Sequence, residues 1–174
     1  MKRLFSAPTT LNLELTELCN ARCRHCYNFW RDDSMGSVSL DEDKLARVFD
    51  RIVEAGVFHV ILSGGEPFAK FKILEYAVRE LTARGLSLSV NSNLMLATDD
   101  RIRRLLALGL DHILTSLPSA DAATTDYVMA QVGAFERVNK GIRCATNCSP
   151  DGTRDIFQDR KAFIFASPSK AAAT

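Results

Sequence analysis

Val57-Phe58-His59-Val60-Ile61-Leu62 runs straight into Ser63-Gly64-Gly65-Glu66-Pro67, and that junction decides the fold. A run that is apolar apart from His59 suits a strand inside a parallel sheet, covered on both faces. The glycines end it and open a loop. Downstream, Leu74, Ala77, Val78 and Leu81 fall on one helical face that closes near Gly85. Leu86-Ser87-Leu88-Ser89-Val90 is a third strand, ending at Asn91-Ser92-Asn93. Thr98 or Asp99 caps a third helix carrying Ile102, Leu105 and Leu106, which Gly109 breaks. His112-Ile113-Leu114-Thr115-Ser116 is a fourth strand, and residues 135–146 read as another helix.

Upstream, Leu45, Val48, Phe49, Ile52 and Val53 form a helical face, with Ser39 and Glu42 in capping-box relation before it and Gly56 after it. Before that, a polar stretch at residues 31–37 follows a first strand in which Leu11, Leu13 and Leu15 alternate with polar residues. Strands alternating with helices make a parallel α/β fold. Right-handed crossovers bring the C-terminal ends of all strands to one face, where such folds bind ligands. Four strand ends there carry reactive, glycine-rich or polar residues: a cysteine loop after the first, Gly64-Gly65-Glu66, Asn91-Ser92-Asn93, and Ser116.

Composition excludes several classes. Among 174 residues, 22 Lys+Arg balance 21 Asp+Glu, a net charge of +1. That balance offers no electrostatic reason to expect nucleic acid or an anionic membrane as partner. At 47% hydrophobic and 25% charged, the chain is ordinary for a globular domain and unlike a disordered one. No apolar run approaches the roughly 18 residues of a membrane span. Ser6-Ala7-Pro8-Thr9-Thr10 stands where a signal peptide would be apolar. A cytoplasmic protein is expected. After Asn147 the pattern fails: residues 148–174 read as a divergent tail containing one short apolar run, Ala162-Phe163-Ile164-Phe165-Ala166.

Three of the five cysteines sit together in Cys19-Asn20-Ala21-Arg22-Cys23-Arg24-His25-Cys26. Clustered thiols in a cytosolic chain point to metal or redox chemistry rather than to disulfides. Soft sulfur donors at C-x3-C-x2-C can converge on an iron–sulfur cluster or on zinc. Zinc as a structural ion would want a fourth ligand, and His25, between the thiols, is expected to point away. On a four-iron cluster, three ligands would leave one iron open. Cys144 and Cys148 repeat a C-x3-C spacing but bring no further ligands, so they read as buried thiols. His59 and His112 read as structural.

Taken together, Cys19, Cys23 and Cys26, the aromatic Tyr27 after them, and Ser63-Gly64-Gly65-Glu66-Pro67 further along closely resemble the radical S-adenosylmethionine (SAM) superfamily. The resemblance implies a partial (β/α) barrel and a [4Fe-4S] cluster held by Cys19, Cys23 and Cys26. It implies SAM on the open iron, with Gly64, Gly65 and Glu66 at its amino group. Asn91, Ser92, Asn93 and Ser116 would border its ribose and carboxylate. One electron into the cluster would cleave SAM to methionine and a 5′-deoxyadenosyl radical, which takes a hydrogen atom from substrate. An electron donor such as a flavodoxin or ferredoxin is implied.

The later stretch resembles the subgroup that matures ribosomally made peptides and cofactors, so a precursor peptide is an expected partner. Pro118 and Ser119 stand where that subgroup has Asp-Gly, and Thr125 where a His is common. The resemblance covers residues 8–147, about four βα units of the family's six, so the core is expected to be incomplete. Gly65→Val is expected to weaken SAM binding more than cluster assembly, because a β-branched side chain would block the close approach of SAM to the backbone of a loop that lies on a different strand end from the cysteines. The rival reading is a truncated, non-catalytic remnant that holds a cluster or zinc.

Overall fold

A computed structural model describes residues 8–27, 40–148 and the backbone of 162–165. The first strand, β1, spans Thr10–Thr16, and helix α1 Glu42–Glu54. Strand β2 spans His59–Gly64, a short 3-10 turn Pro67–Lys70 and helix α2 Phe71–Ala83. Then come β3 (Ser87–Asn91), α3 (Asp99–Ala107), β4 (His112–Ser116), α4 (Ala122–Met129), α5 (Ala134–Asn147) and β5 (Ala162–Phe165). The strands pair in sequence order, all parallel, as one five-stranded sheet. The expected α/β partial barrel is what forms.

The order itself fixes where the helices lie. Successive neighbours joined by right-handed crossovers keep every crossover helix on the same side of the sheet. Strand alternation supplies the apolar side they cover. Leu15, Val60, Leu62, Leu88, Val90 and Ile113 point there, packed with Leu45, Phe49, Ile52, Leu74, Leu81, Ile102 and Leu105 in one core. Fully burying such a side chain contributes about 1.5–3 kcal/mol. The opposite, concave face carries Asn12, Ser63, Ser87, Ser89, Asn91 and Ser116 beside the apolar Ile61 and Leu114. Strand β2 is therefore covered by helices on one face only, unlike the two-sided burial that its apolar run suggests. His59 shows how the concave face is satisfied. Its ring nitrogens lie 3.0 Å from the Ser87 and Ser89 hydroxyls, and burial lowers its pKa.

Helix starts follow local chemistry. Asp41 caps α1, its carboxylate accepting from the Lys44 N–H at 2.8 Å. Ser39, expected in that role, lies outside the described residues, as do residues 31–37. Thr98 caps α3, accepting from the Arg101 N–H. Asp121 caps α4, a helix without a distinct apolar face that the sequence pattern passed over, accepting from the Thr124 N–H at 2.7 Å. The apolar run after Asn147 enters the sheet as β5, with Ile113 opposite Ala162. The rest of residues 149–174 lies outside the described residues. Among the described residues no helix is long and apolar enough to cross a membrane.

Candidate functional site

The C-terminal ends of β1 to β4 enclose a cleft of about 330 Å³, within the usual range for a small-molecule site. Cys19, Cys23, Cys26 and Tyr27 line it from the loop after β1, and Ser63, Gly64 and Gly65 from the end of β2. Asn91, Ser92 and Asn93 follow from β3, and Ser116 and Pro118 from β4. Apart from Glu66, all the residues named from the sequence as cofactor or metal contacts meet there. His25, expected to turn away, lines the cleft as well.

Glu66 does something else. It is 1% exposed, and its carboxylate accepts from the Phe68 N–H at 3.0 Å, the Ser92 hydroxyl at 2.8 Å and the Asn93 N–H at 2.8 Å. The side chain thus ties the glycine loop of β2 to the polar loop of β3, and Ser92 spends its hydroxyl proton inward. Burial raises the Glu66 pKa, against the three hydrogen bonds that lower it. The buried Phe68 N–H and Ser92 hydroxyl and the partly buried Asn93 N–H lose their acceptor in Glu66→Ala, a buried donor left unpaired costing about 1–3 kcal/mol. We expect that variant to unfold about 2–3 kcal/mol more easily in a urea titration; unchanged stability would mean the carboxylate carries no such tie.

The glycines meet protein before they meet ligand. Gly65 N–H donates to the Thr16 carbonyl at 2.7 Å, and Glu66 N–H to the Leu18 carbonyl at 2.8 Å. A Cβ on Gly65 would sit 2.6 Å from the Glu17 carbonyl oxygen and closer still to that of Leu18. Gly64 adopts φ +120° against Thr16, a conformation that favours glycine. The loop of β2 is therefore laced to the residues that lead into Cys19. This overturns the reason given for expecting Gly65→Val to spare the cluster: the two strand ends are in direct contact.

The cysteine loop is held on both sides. Asn93 Nδ2 donates to Asn20 Oδ1 at 2.9 Å, Cys26 N–H to the Cys23 carbonyl at 3.1 Å, and the Tyr27 hydroxyl to Glu14 at 2.9 Å. On the far side Ala21 joins a small core with Met95, Met129, Ala134 and Val138, against which Cys19 and Cys23 pack. All five cysteines are outside any disulfide; Cys19, Cys23 and Cys26 are half-buried, whereas Cys144 and Cys148 are buried. Burial pushes both of the latter thiols up in pKa. Thr125 is buried too, its hydroxyl donating to the Ser119 carbonyl at 2.9 Å.

The residues present fit a cluster with SAM. Three thiols outside any disulfide line one cleft, and Asn91, which lines it too, has a buried Oδ1 with no hydrogen-bond partner among the described residues. Such an atom on a ligand-facing wall suits an acceptor awaiting a donor. Among the described residues no three His, Cys, Asp or Glu side chains gather round a single metal ion. Each thiolate of a four-iron cluster binds its own iron, so that spacing is compatible with a cluster.

A parallel partial barrel with a thiol-lined cleft at its strand ends defines a class of cofactor-dependent α/β protein. Residues 13–154 match the family model of the radical SAM superfamily, and the chain belongs to that family. Membership implies a [4Fe-4S] cluster and SAM as cofactors. A PqqA peptide cyclase of Methylocella silvestris is 35% identical over 134 residues, 75% of this chain and 34% of that protein. An AdoMet-dependent heme synthase of Methanosarcina barkeri is 34% identical, across 82% of this chain and 40% of that protein. The structure of Streptococcus suis SuiB bound to precursor peptide SuiA superimposes with a TM-score of 0.73 at 19% identity, over 92% of this chain and 33% of that one. The chain thus spans about a third to two fifths of the length of these relatives.

Proposed function

We propose that residues 8–147 form the cluster- and SAM-binding core of an enzyme that modifies a peptide or a cofactor precursor by radical chemistry. The observation that carries this reading is the convergence of Cys19, Cys23 and Cys26 with Gly64, Gly65, Asn91, Asn93 and Ser116 on one cleft. The three thiolates would hold the cluster. The main chain of Gly64 and Gly65, the Asn91 Oδ1 and the polar edge at Asn93 and Ser116 would orient SAM beside it. The chemistry supplied when both are bound is one-electron cleavage of SAM, followed by removal of a hydrogen atom from substrate.

The chain's own contribution is placement and shielding. Glu66 fixes the loops of β2 and β3 to each other, and Gly65 and Glu66 fix the approach to Cys19 through their N–H groups. Met129, Leu114 and Ala21 supply apolar wall, which limits water around the reacting centre. The names of the relatives, a peptide cyclase and a protein bound to a precursor peptide, support a peptide substrate. A flavodoxin- or ferredoxin-like protein is the proposed electron donor, and the cytoplasm the proposed location.

Anaerobic reconstitution with iron and sulfide, followed by incubation with SAM and dithionite, tests the reading. The expected result is about four irons and four sulfides per chain with release of 5′-deoxyadenosine and methionine. Cluster uptake without SAM cleavage would indicate a non-catalytic remnant. Zinc without sulfide would overturn the cluster assignment.

A further inference from the structure

We propose that Arg24 and the end of α4 form a clamp that sets the second half of the cysteine loop in its ligand-ready shape before any cofactor arrives. The inference rests on the reading of that loop given above and makes Arg24 a positioning residue for the cluster. The contacts from β2 and β3 fall on Thr16, Leu18 and Asn20, ahead of or just after Cys19. Arg24 stands between Cys23 and Cys26 and reaches the other way.

Its backbone N–H donates to the Val128 carbonyl at 2.8 Å, and its Nε to the Tyr127 carbonyl at 3.0 Å. Its guanidinium lies 4.3 Å from the centre of the Tyr127 ring. These contacts use what a helix end offers. The Arg24 N–H meets the Val128 carbonyl in the last turn of α4, the Tyr127 carbonyl accepts from the Ala130 N–H as well as from Arg24 Nε, and the helix end carries partial negative charge that a cation satisfies. Stacking on an aromatic ring adds to the attraction.

The clamp itself is anchored. Ala130 takes a left-handed conformation at φ +52° and turns the chain sharply from α4 toward α5. Asp126 braces that elbow, its carboxylate accepting from the N–H groups of Gly133 at 2.6 Å and Phe135 at 2.9 Å. It thereby caps α5, which begins at a glycine with no side chain to cap it. Met129, beside Val128, packs against Ala21 in the small core that Cys19 and Cys23 touch. The elbow and the cysteine loop are therefore packed against each other.

Hydrogen exchange on the apo-protein tests this without a cofactor. Tyr127 is exposed, so its replacement leaves the core alone. In Tyr127→Ala and in Arg24→Ala, amides of residues 19–27 should exchange about tenfold faster or more, with β1, β2 and β3 unchanged. Tyr127→Phe should behave as wild type, because the ring and the backbone carbonyl remain. Arg24→Lys should not restore protection, since an ammonium lacks the planar fork and stacks poorly. After anaerobic loading, Arg24→Ala should release iron to a chelator several-fold faster and change the electron paramagnetic resonance spectrum of the reduced cluster.

Wild-type exchange of residues 19–27 in both alanine variants would overturn the clamp, and so would faster exchange spread over the whole sheet. A wild-type chain that takes up no iron would defeat the cofactor reading instead, while the exchange data still decide the clamp.

Discussion

Replacing Cys19, Cys23 or Cys26 by Ala leaves the reconstituted chain without its cluster, whereas Cys144→Ala and Cys148→Ala retain the full iron and sulfide content. The first three thiols share one loop, are half-buried and outside any disulfide, and line the cleft. Each would be one of only three thiolate bonds to the cluster, and among the described residues no fourth cysteine lines the cleft to replace it. Cys144 and Cys148 lie at the end of α5, with Cys148 Sγ 3.6 Å from the Asp99 carbonyl. Burial raises the pKa of both, which disfavours the thiolate that metal binding needs. They pack in the main core with Ile102 and Leu105, so their loss is a matter of packing. Iron and sulfide analysis with the visible absorption of the cluster reads the difference. Wild-type iron in a Cys19→Ala chain, or an empty Cys144→Ala chain, would show that the ligands were misassigned.

Much of this was legible because periodicity reports burial. Leu11, Leu13 and Leu15 alternate since only one face of β1 meets helices, and strand ends could be ranked on one side because crossover handedness is fixed. What stayed hidden depends on contacts between distant loops. The inward carboxylate of Glu66 is set by Ser92 and Asn93, a pairing that no local pattern encodes. Helix α4 escaped because it shows no apolar stripe; Asp121 was its one visible signal, an acceptor placed for the Thr124 N–H. Nothing in the sequence around Arg24 points to Tyr127 and Val128, its partners more than a hundred residues further along the chain. Gly65 was singled out correctly as a residue that must be small, but for a different neighbour. A glycine in a sequence says that something comes close; only the fold says whether it is ligand or backbone.

That distinction sets the expectation for Gly65→Val. The new Cβ would collide with the carbonyl oxygens of Glu17 and Leu18, and the branched side chain has few rotamers with which to escape. Backbone cannot yield as a flexible side chain does, so the strand ends must part. The Gly65 N–H to Thr16 and Glu66 N–H to Leu18 bonds go with them, at roughly 1 kcal/mol each, on top of about 1–3 kcal/mol for overpacking. A loss of about 4 kcal/mol is a large share of a typical stability of about 5–15 kcal/mol. Because Leu18 immediately precedes Cys19, the displaced backbone carries the first ligand out of line with Cys23 and Cys26. We therefore expect Gly65→Val to reduce cluster content and SAM binding together, with iron per chain falling to a small fraction of wild type under the same reconstitution. Equilibrium binding of SAM to whatever loaded fraction survives separates the two effects. A variant with full iron content and selectively weakened SAM binding would mean that the β1 and β2 ends are not coupled as their hydrogen bonds indicate, and would restore the ligand-approach explanation for this glycine.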